Sequence, residues 1–191
     1  MMWPWAHAAL GYLCYTLYLR VRFDEQPVGL PVVALGVGTQ LPDLIDKTLA
    51  WYLGALPYGR SLAHSLLTGT LIVLVIVALF RARNANVSGM AFAIGYASHF
   101  VGDSFGSLVT SSWGDLVFLA WPLLSSPEEE TIGVLAHLQN IEGSPLFLFG
   151  LGLTALGLVS WYRHGLPGLR ELFALVRVGK EPPEQESDRS G

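Results

Sequence analysis

Long apolar runs, separated by short polar punctuation, dominate the chain. Five stretches, residues 1–19, 26–42, 61–80, 88–109 and 143–162, are long enough to cross a bilayer. A transmembrane helix needs about 20 mostly apolar residues, with a range of roughly 17–25. The pattern therefore predicts an all-α polytopic membrane helical bundle of about five spans. The run at 26–42 is marginal, and Pro27 and Pro31 are expected to shorten its helix further. A sixth patch, residues 116–124, is too short to span and is broken by Pro122, so it reads as a re-entrant or interfacial segment. The first run lacks a basic leading region and a small-residue cleavage site, and is read as a span rather than a leader.

The C-terminal part changes character. Residues 166–179 can form a short amphipathic interfacial helix, with Leu, Phe and Val on one side and Arg170 and Arg177 on the other. Residues 180–191 read KEPPEQESDRSG, a composition with nothing to bury, and are expected to be a disordered cytoplasmic tail. No internal repeat or long linker divides residues 1–165, which form one transmembrane helical domain.

Composition agrees with the pattern. Hydrophobic residues make up 52% of the 191 and charged ones 14%, about half the share of an ordinary soluble domain. Mean hydropathy is +0.46. A soluble enzyme or a disordered regulator is disfavoured. The net charge of −4 leaves no basic field for a nucleic-acid backbone. The single cysteine, Cys14, cannot form an internal disulfide and sits in an apolar run, where packing is its role.

Charge also orients the bundle. With the N-terminus outside and five spans threaded, Arg20, Arg22, Arg81, Arg83, Arg163, Arg170, Arg177, Lys180 and Arg189 lie inside. Lys47 and Arg60 lie outside. That asymmetry follows the positive-inside rule and makes the chain an integral membrane protein with its N-terminus outside and a cytoplasmic C-terminus. Most tryptophans fall near span ends, as an aromatic belt requires.

Ionisable side chains at membrane depth are costly unless paired, so each is a candidate for function. Here they are His7, Asp43, Asp46, His64, His99 and Asp103, and the topology gathers all of them toward the outer face. His99 and Asp103 are four apart and share one helix face. Imidazole nitrogen and carboxylate oxygen are ligands that zinc, manganese and iron accept. Arg60 and His64, also four apart, are expected on one face, with Arg60 either binding an anionic group or anchoring the helix at the headgroups. Blander readings stand beside these. His7 can be an interfacial hydrogen-bonding group, His99 with Asp103 an ion pair or proton relay, and Asp46 with Lys47 part of a solvated loop. His137 and His164 look unremarkable.

The ordered set resembles a known family. His7, Leu41-Pro42-Asp43-Leu44-Ile45-Asp46, Arg60-Ser-Leu-Ala-His64-Ser65, His99-Phe-Val-Gly-Asp103 and the stretch from Trp113 to Pro122 are similar to the YdjM-like inner-membrane proteins described as metal-dependent hydrolases. The resemblance covers roughly residues 1 to 125. That family looks like a distant relative of the zinc-dependent phospholipase C and P1-nuclease group. The resemblance implies a main metal site of Asp43, His64, His99 and Asp103, with His7 helping to hold a second ion. The soluble enzymes also use a later His-x-x-x-Glu pair, whereas here Glu142 follows His137 by five positions. One or two ions, zinc or else manganese or iron, are therefore expected rather than three.

The function expected is a membrane-bound metal-dependent hydrolase acting on a phosphoester or lipid-type ester at the outer membrane surface by metal-activated water. Asp43 or Asp103 would serve as general base and Arg60 would hold an anionic group. A membrane lipid or lipid-linked molecule is the expected partner, and no nucleic acid. Two rivals remain. One is a non-catalytic transporter or scaffold using the same His/Asp cluster. The other is a serine hydrolase using Ser104 in Gly102-Asp-Ser104-Phe-Gly106, a pattern that needs a strand–turn–helix elbow.

Overall fold

A computed structural model of the chain describes residues 2–124 and 145–178. The elements are α1 (Pro4–Phe23), α2 (Gly29–Lys47), a π-helical turn (Thr48–Tyr52), α3 (Leu66–Ala82), α4 (Asn86–Val109), a 3-10 helix (Trp113–Ala120), α5 (Pro145–Arg163) and α6 (Leu169–Val178). The all-α expectation holds, with no strand among the described residues. His137, Glu142 and the expected tail 180–191 lie outside those residues.

Five helices stand where the five apolar runs were read. Among the described residues only α5 is long and apolar enough to cross a membrane by length and composition, and the apolar α3 has 17 residues. The boundaries differ from those runs. Helix α2 does not stop near its prolines. Pro31 lies in the first turn, where a missing N–H costs nothing, and the helix continues through Pro42 to Lys47. Helix α3 begins late, at Leu66, because residues 59–65 form an irregular turn. Ser65 then caps the helix by accepting the Leu67 N–H.

Close contacts fix how the helices run. Leu35 and Thr39 of α2 meet Gly95 of α4, and Thr39 also meets His99, so these two helices are parallel. Helix α1 opposes α4, since Met2 meets Asp103, His7 meets His99 and Gly11 meets Ser98 and Gly95. Helix α3 also opposes α4, through Gly69 against Phe100 and Phe80 against Gly89. Helix α5 runs with α1, Trp3 lying against Phe147, Ala6 against Gly150 and Ala9 against Gly157. The chain thus alternates in direction. The helix ends bearing Arg20, Arg22, Arg81, Arg83 and Arg163 are the ends away from Asp103 and His7.

Beside an apolar core, the fold buries a polar cluster and leaves many large apolar side chains exposed. Leu71, Leu74, Val75 and Leu79 of α3 and Leu148, Leu156, Leu158 and Val159 of α5 are exposed. His7, Thr39, Asp43, Asp46, His64, His99 and Asp103 are buried. A soluble monomer rarely shows so broad an apolar surface, whereas a bilayer covers it. At the arginine end, an apolar core of Tyr12, Tyr15, Leu19, Leu35 and Ala91 closes the bundle.

A candidate metal centre

Helix α2 supplies Asp43, the turn before α3 supplies His64, and α4 supplies His99 and Asp103. One ligand atom from each lies within 4.8 Å of all the others. Glycines make this meeting possible. A Cβ on Gly38 would collide with the Phe92 carbonyl, and one on Gly95 with the Leu35 carbonyl, so α2 and α4 touch backbone to backbone. At that separation the Nδ1–H of His99 donates to the Thr39 carbonyl at 2.8 Å.

Asp46 performs the matching task for His64. It is fully buried at the last turn of α2. Its carboxylate accepts the backbone N–H groups of Ser61 at 2.8 Å, Ala63 at 2.8 Å and His64 at 3.1 Å. It also accepts the Nδ1–H of His64 at 2.9 Å. The irregular turn is thus wrapped around one carboxylate. Asp46 and Lys47, read from the sequence as a solvated loop, are in fact ordered parts of the site.

Both imidazoles therefore spend their Nδ1–H on a group that can only accept, which turns both Nε2 lone pairs into the cluster. The two Nε2 atoms are 3.0 Å apart. Asp43 Oδ1 lies 3.4 Å from His64 Nε2 and 3.8 Å from His99 Nε2. Asp103 Oδ2 lies 3.5 Å and 3.8 Å from the same atoms. Asp43 Oδ1 and Asp103 Oδ2 have no hydrogen-bond donor. Four acceptors thus converge on one point and need a cation there. Bonds of about 2.1 Å to nitrogen and oxygen in a tetrahedron separate the ligands by about 3.4 Å, close to the spacings in this cluster. The donor set fits a divalent ion.

His64 lies in the turn outside the helices. Burial opposes its positive charge, but the surrounding carboxylates of Asp103, Asp43 and Asp46 outweigh that and push its pKa up to about 10. Without a metal, a proton on His64 satisfies part of the cluster.

His7 is buried beside this set. Its ring stacks on His99 with centroids 3.9 Å apart, and its Nε2 is 3.3 Å from Asp103 Oδ1. That oxygen also accepts the Met2 backbone N–H at 3.1 Å. Neither His7 nitrogen has a hydrogen-bond partner. Lys47 Nζ pairs with Asp43 Oδ2 at 2.7 Å, a partner missed because the sequence reading placed Lys47 in a solvated loop rather than on the last turn of α2.

Arg60 and His64 do not share a helix face, since the chain between them is a turn. The Arg60 guanidinium lies over the Phe118 ring at 4.8 Å, and that ring meets His64 edge-on at 6.3 Å. Arg60 is thus one aromatic ring removed from the cluster. The segment read as re-entrant or interfacial begins within the 3-10 helix that carries Phe118. Its Trp121 carbonyl accepts the Ser65 hydroxyl at 2.5 Å, so it covers the His64 turn. Ser104 lies inside continuous α4, not on an elbow. Gly102 admits the His7 ring, and Gly106 admits Leu146, so that pattern serves packing. His164 ends up bonded to Tyr12, Nδ1 to hydroxyl at 2.7 Å.

No curated protein and no solved structure matches the chain. The family model described as YdjM inner membrane protein matches residues 1–176, and the chain belongs to that membrane-protein family.

Proposed function

We propose that this chain is a membrane-bound metal-dependent hydrolase acting on a phosphoester or lipid-type ester at the outer membrane surface. The observation that carries the reading is the convergence of four acceptors, two of them imidazole nitrogens aimed inward by Thr39 and Asp46. A proton on one imidazole satisfies part of that set, whereas a divalent ion satisfies all of it.

Asp43, His64, His99 and Asp103 would hold the ion, and His7 would assist a second ion on the Asp103 Oδ1 side. The ion, once bound, supplies Lewis acidity toward an ester oxygen and activation of a water. Asp43 is the carboxylate with an exposed edge, so we assign it the general base, with Asp103 fixed between His7 and the cluster. Arg60, behind Phe118, would draw an anionic group toward the turn. The arginine-bearing helix ends would face the cytoplasm and the cluster the outside, with α6 at the inner interface.

The transport reading finds less support. Beneath the cluster, the hydroxyls of Thr39 and Ser98 donate to the carbonyls of Gly36 and Gly95, and Leu35, Phe92 and Tyr15 fill the core beyond. No charged relay continues there among the described residues.

The test is turnover. Detergent-purified protein loaded with zinc or manganese is offered a chromogenic phosphodiester, a phosphomonoester and a short-chain phospholipid, beside His64→Ala and Asp43→Asn. Hydrolysis of one class by wild type, lost at least a hundredfold in both variants, is the expected result. Metal-loaded, folded wild type that cleaves none of the three contradicts the hydrolase reading.

A further inference from the structure

The cluster is closed on nearly every side. The side chains of His7, His64, His99 and Asp103 have no exposure, while those of Asp43 and Lys47 keep 10% and 17%. Among the described residues, the exposed edge of the cluster is therefore that of Asp43 and Lys47, and the charged donor on that edge is the Lys47 ammonium. That ammonium is held in place. It sits 2.7 Å from Asp43 Oδ2 and 5.7 Å from the ring centroid of Trp51 in the π-helical turn.

Charge balance gives Lys47 a purpose. Asp43, Asp46 and Asp103 are three buried carboxylates. One divalent ion and one ammonium neutralise them, so an incoming anion enters a neutral site rather than a negative one. An ammonium has three donors, and Asp43 occupies one. Lysine acts on a phosphoryl group as a point charge, and this one stands beside the carboxylate that would ligate the ion.

We propose that Lys47 is the oxyanion-binding residue of this site: its ammonium takes one oxygen of a phosphoryl group while another oxygen faces the metal position. This rests on the metal reading above and narrows its ligand class to phosphoryl anions. A lipid phosphate headgroup and free phosphate present the same oxygens.

The experiment uses full-length detergent-solubilised protein loaded with Mn²⁺ and reads the ³¹P relaxation that the ion induces in a bound phosphorus. The probes are inorganic phosphate and dioctanoyl phosphatidic acid, titrated separately against wild type, Lys47→Met, Lys47→Gln and Lys47→Arg. The expected result is unchanged Mn²⁺ content throughout. Phosphorus binding should weaken by about tenfold or more in Lys47→Met and Lys47→Gln, the scale of one hydrogen bond to a charged group, and recover in Lys47→Arg. Whichever probe binds at the lower concentration identifies lipid or free phosphate as the source, and a Lys47-dependent result with either one supports the proposal. Neutral variants that bind both probes as tightly as wild type overturn it. So do neutral variants that lose Mn²⁺ together with phosphate, since Lys47 would then only hold Asp43. Wild type that takes up no Mn²⁺ is a different result and overturns the metal reading beneath.

Discussion

Asp46 determines which nitrogen of His64 faces the cluster, and it does so without touching the point where the ligands converge. Such carboxylate–histidine pairs raise ligand basicity, and their loss costs about 10–100-fold in metal affinity. Asp46→Asn should therefore weaken zinc binding by about that factor, measured by competition with a chromophoric chelator. Asp46→Ala should also lower the melting temperature, because the Ser61, Ala63 and His64 N–H groups lose their acceptor at about 1–3 kcal/mol for each one left buried. The proton on His64 gives a second test. Its pKa of about 10 means that metal must displace a proton over the accessible pH range. Apparent affinity should rise about tenfold per pH unit from pH 6 to 9, with about one proton released per ion by calorimetry. A pH-independent affinity contradicts that assignment. Much of this was legible in the sequence. The four-residue spacing of His99 and Asp103 needs only a helix to become a pair of ligands. Asp46 was harder, because a carboxylate beside a lysine looks solvated until the turn that wraps it is seen. The one available signal was its position three residues after Asp43, on the same helical face.

At the scale of elements, the site exists because α2 and α4 cross with no side chain between them. Gly95→Leu would drive a side chain into the Leu35 carbonyl and separate Thr39 from His99. It should abolish metal binding and cost about 1–3 kcal/mol of stability, as overpacking does. Gly36→Leu is the control, since a Cβ there meets nothing within 4 Å, and it should bind metal as wild type does. Metal loss in both variants would argue for general fragility rather than this crossing. Apolar periodicity locates these helices but does not reveal their crossing. It missed the passage of α2 through Pro42 and the irregular turn at 59–65. The turn follows from a buried carboxylate collecting backbone N–H groups, a tertiary event that hydropathy does not register. The paired glycines at 102 and 106 misled in the other direction, resembling a nucleophile motif where the helix needs room for His7 and Leu146.

The described residues bury a polar cluster at one end of the bundle and an apolar core at the other, expose many large apolar side chains, and carry their helix-end arginines away from the cluster. Successive helices alternate in direction, and among the described residues length and hydropathy alone mark only α5 as a crossing helix. Orientation has a direct test in a Cys14→Ser background. Ala55→Cys, exposed near the cluster, should react with a membrane-impermeant maleimide in intact cells, and Asn86→Cys, exposed at the other end, only after lysis. The reverse pattern would turn the site toward the cytoplasm. Stability should also depend on the ion, because a ligand bound only by the folded state adds about 2.7 kcal/mol at a hundred times its dissociation constant. The central claim is that Asp43, His64, His99 and Asp103 form a metal centre. The most direct test is metal content by mass spectrometry on chelator-free, detergent-purified protein, with wild type beside His99→Ala and Asp103→Ala. Wild type should hold zinc, manganese or iron tightly at one or two ions per chain, and both variants less than a tenth of that. Folded wild type without metal, or variants that keep their full complement, would contradict it.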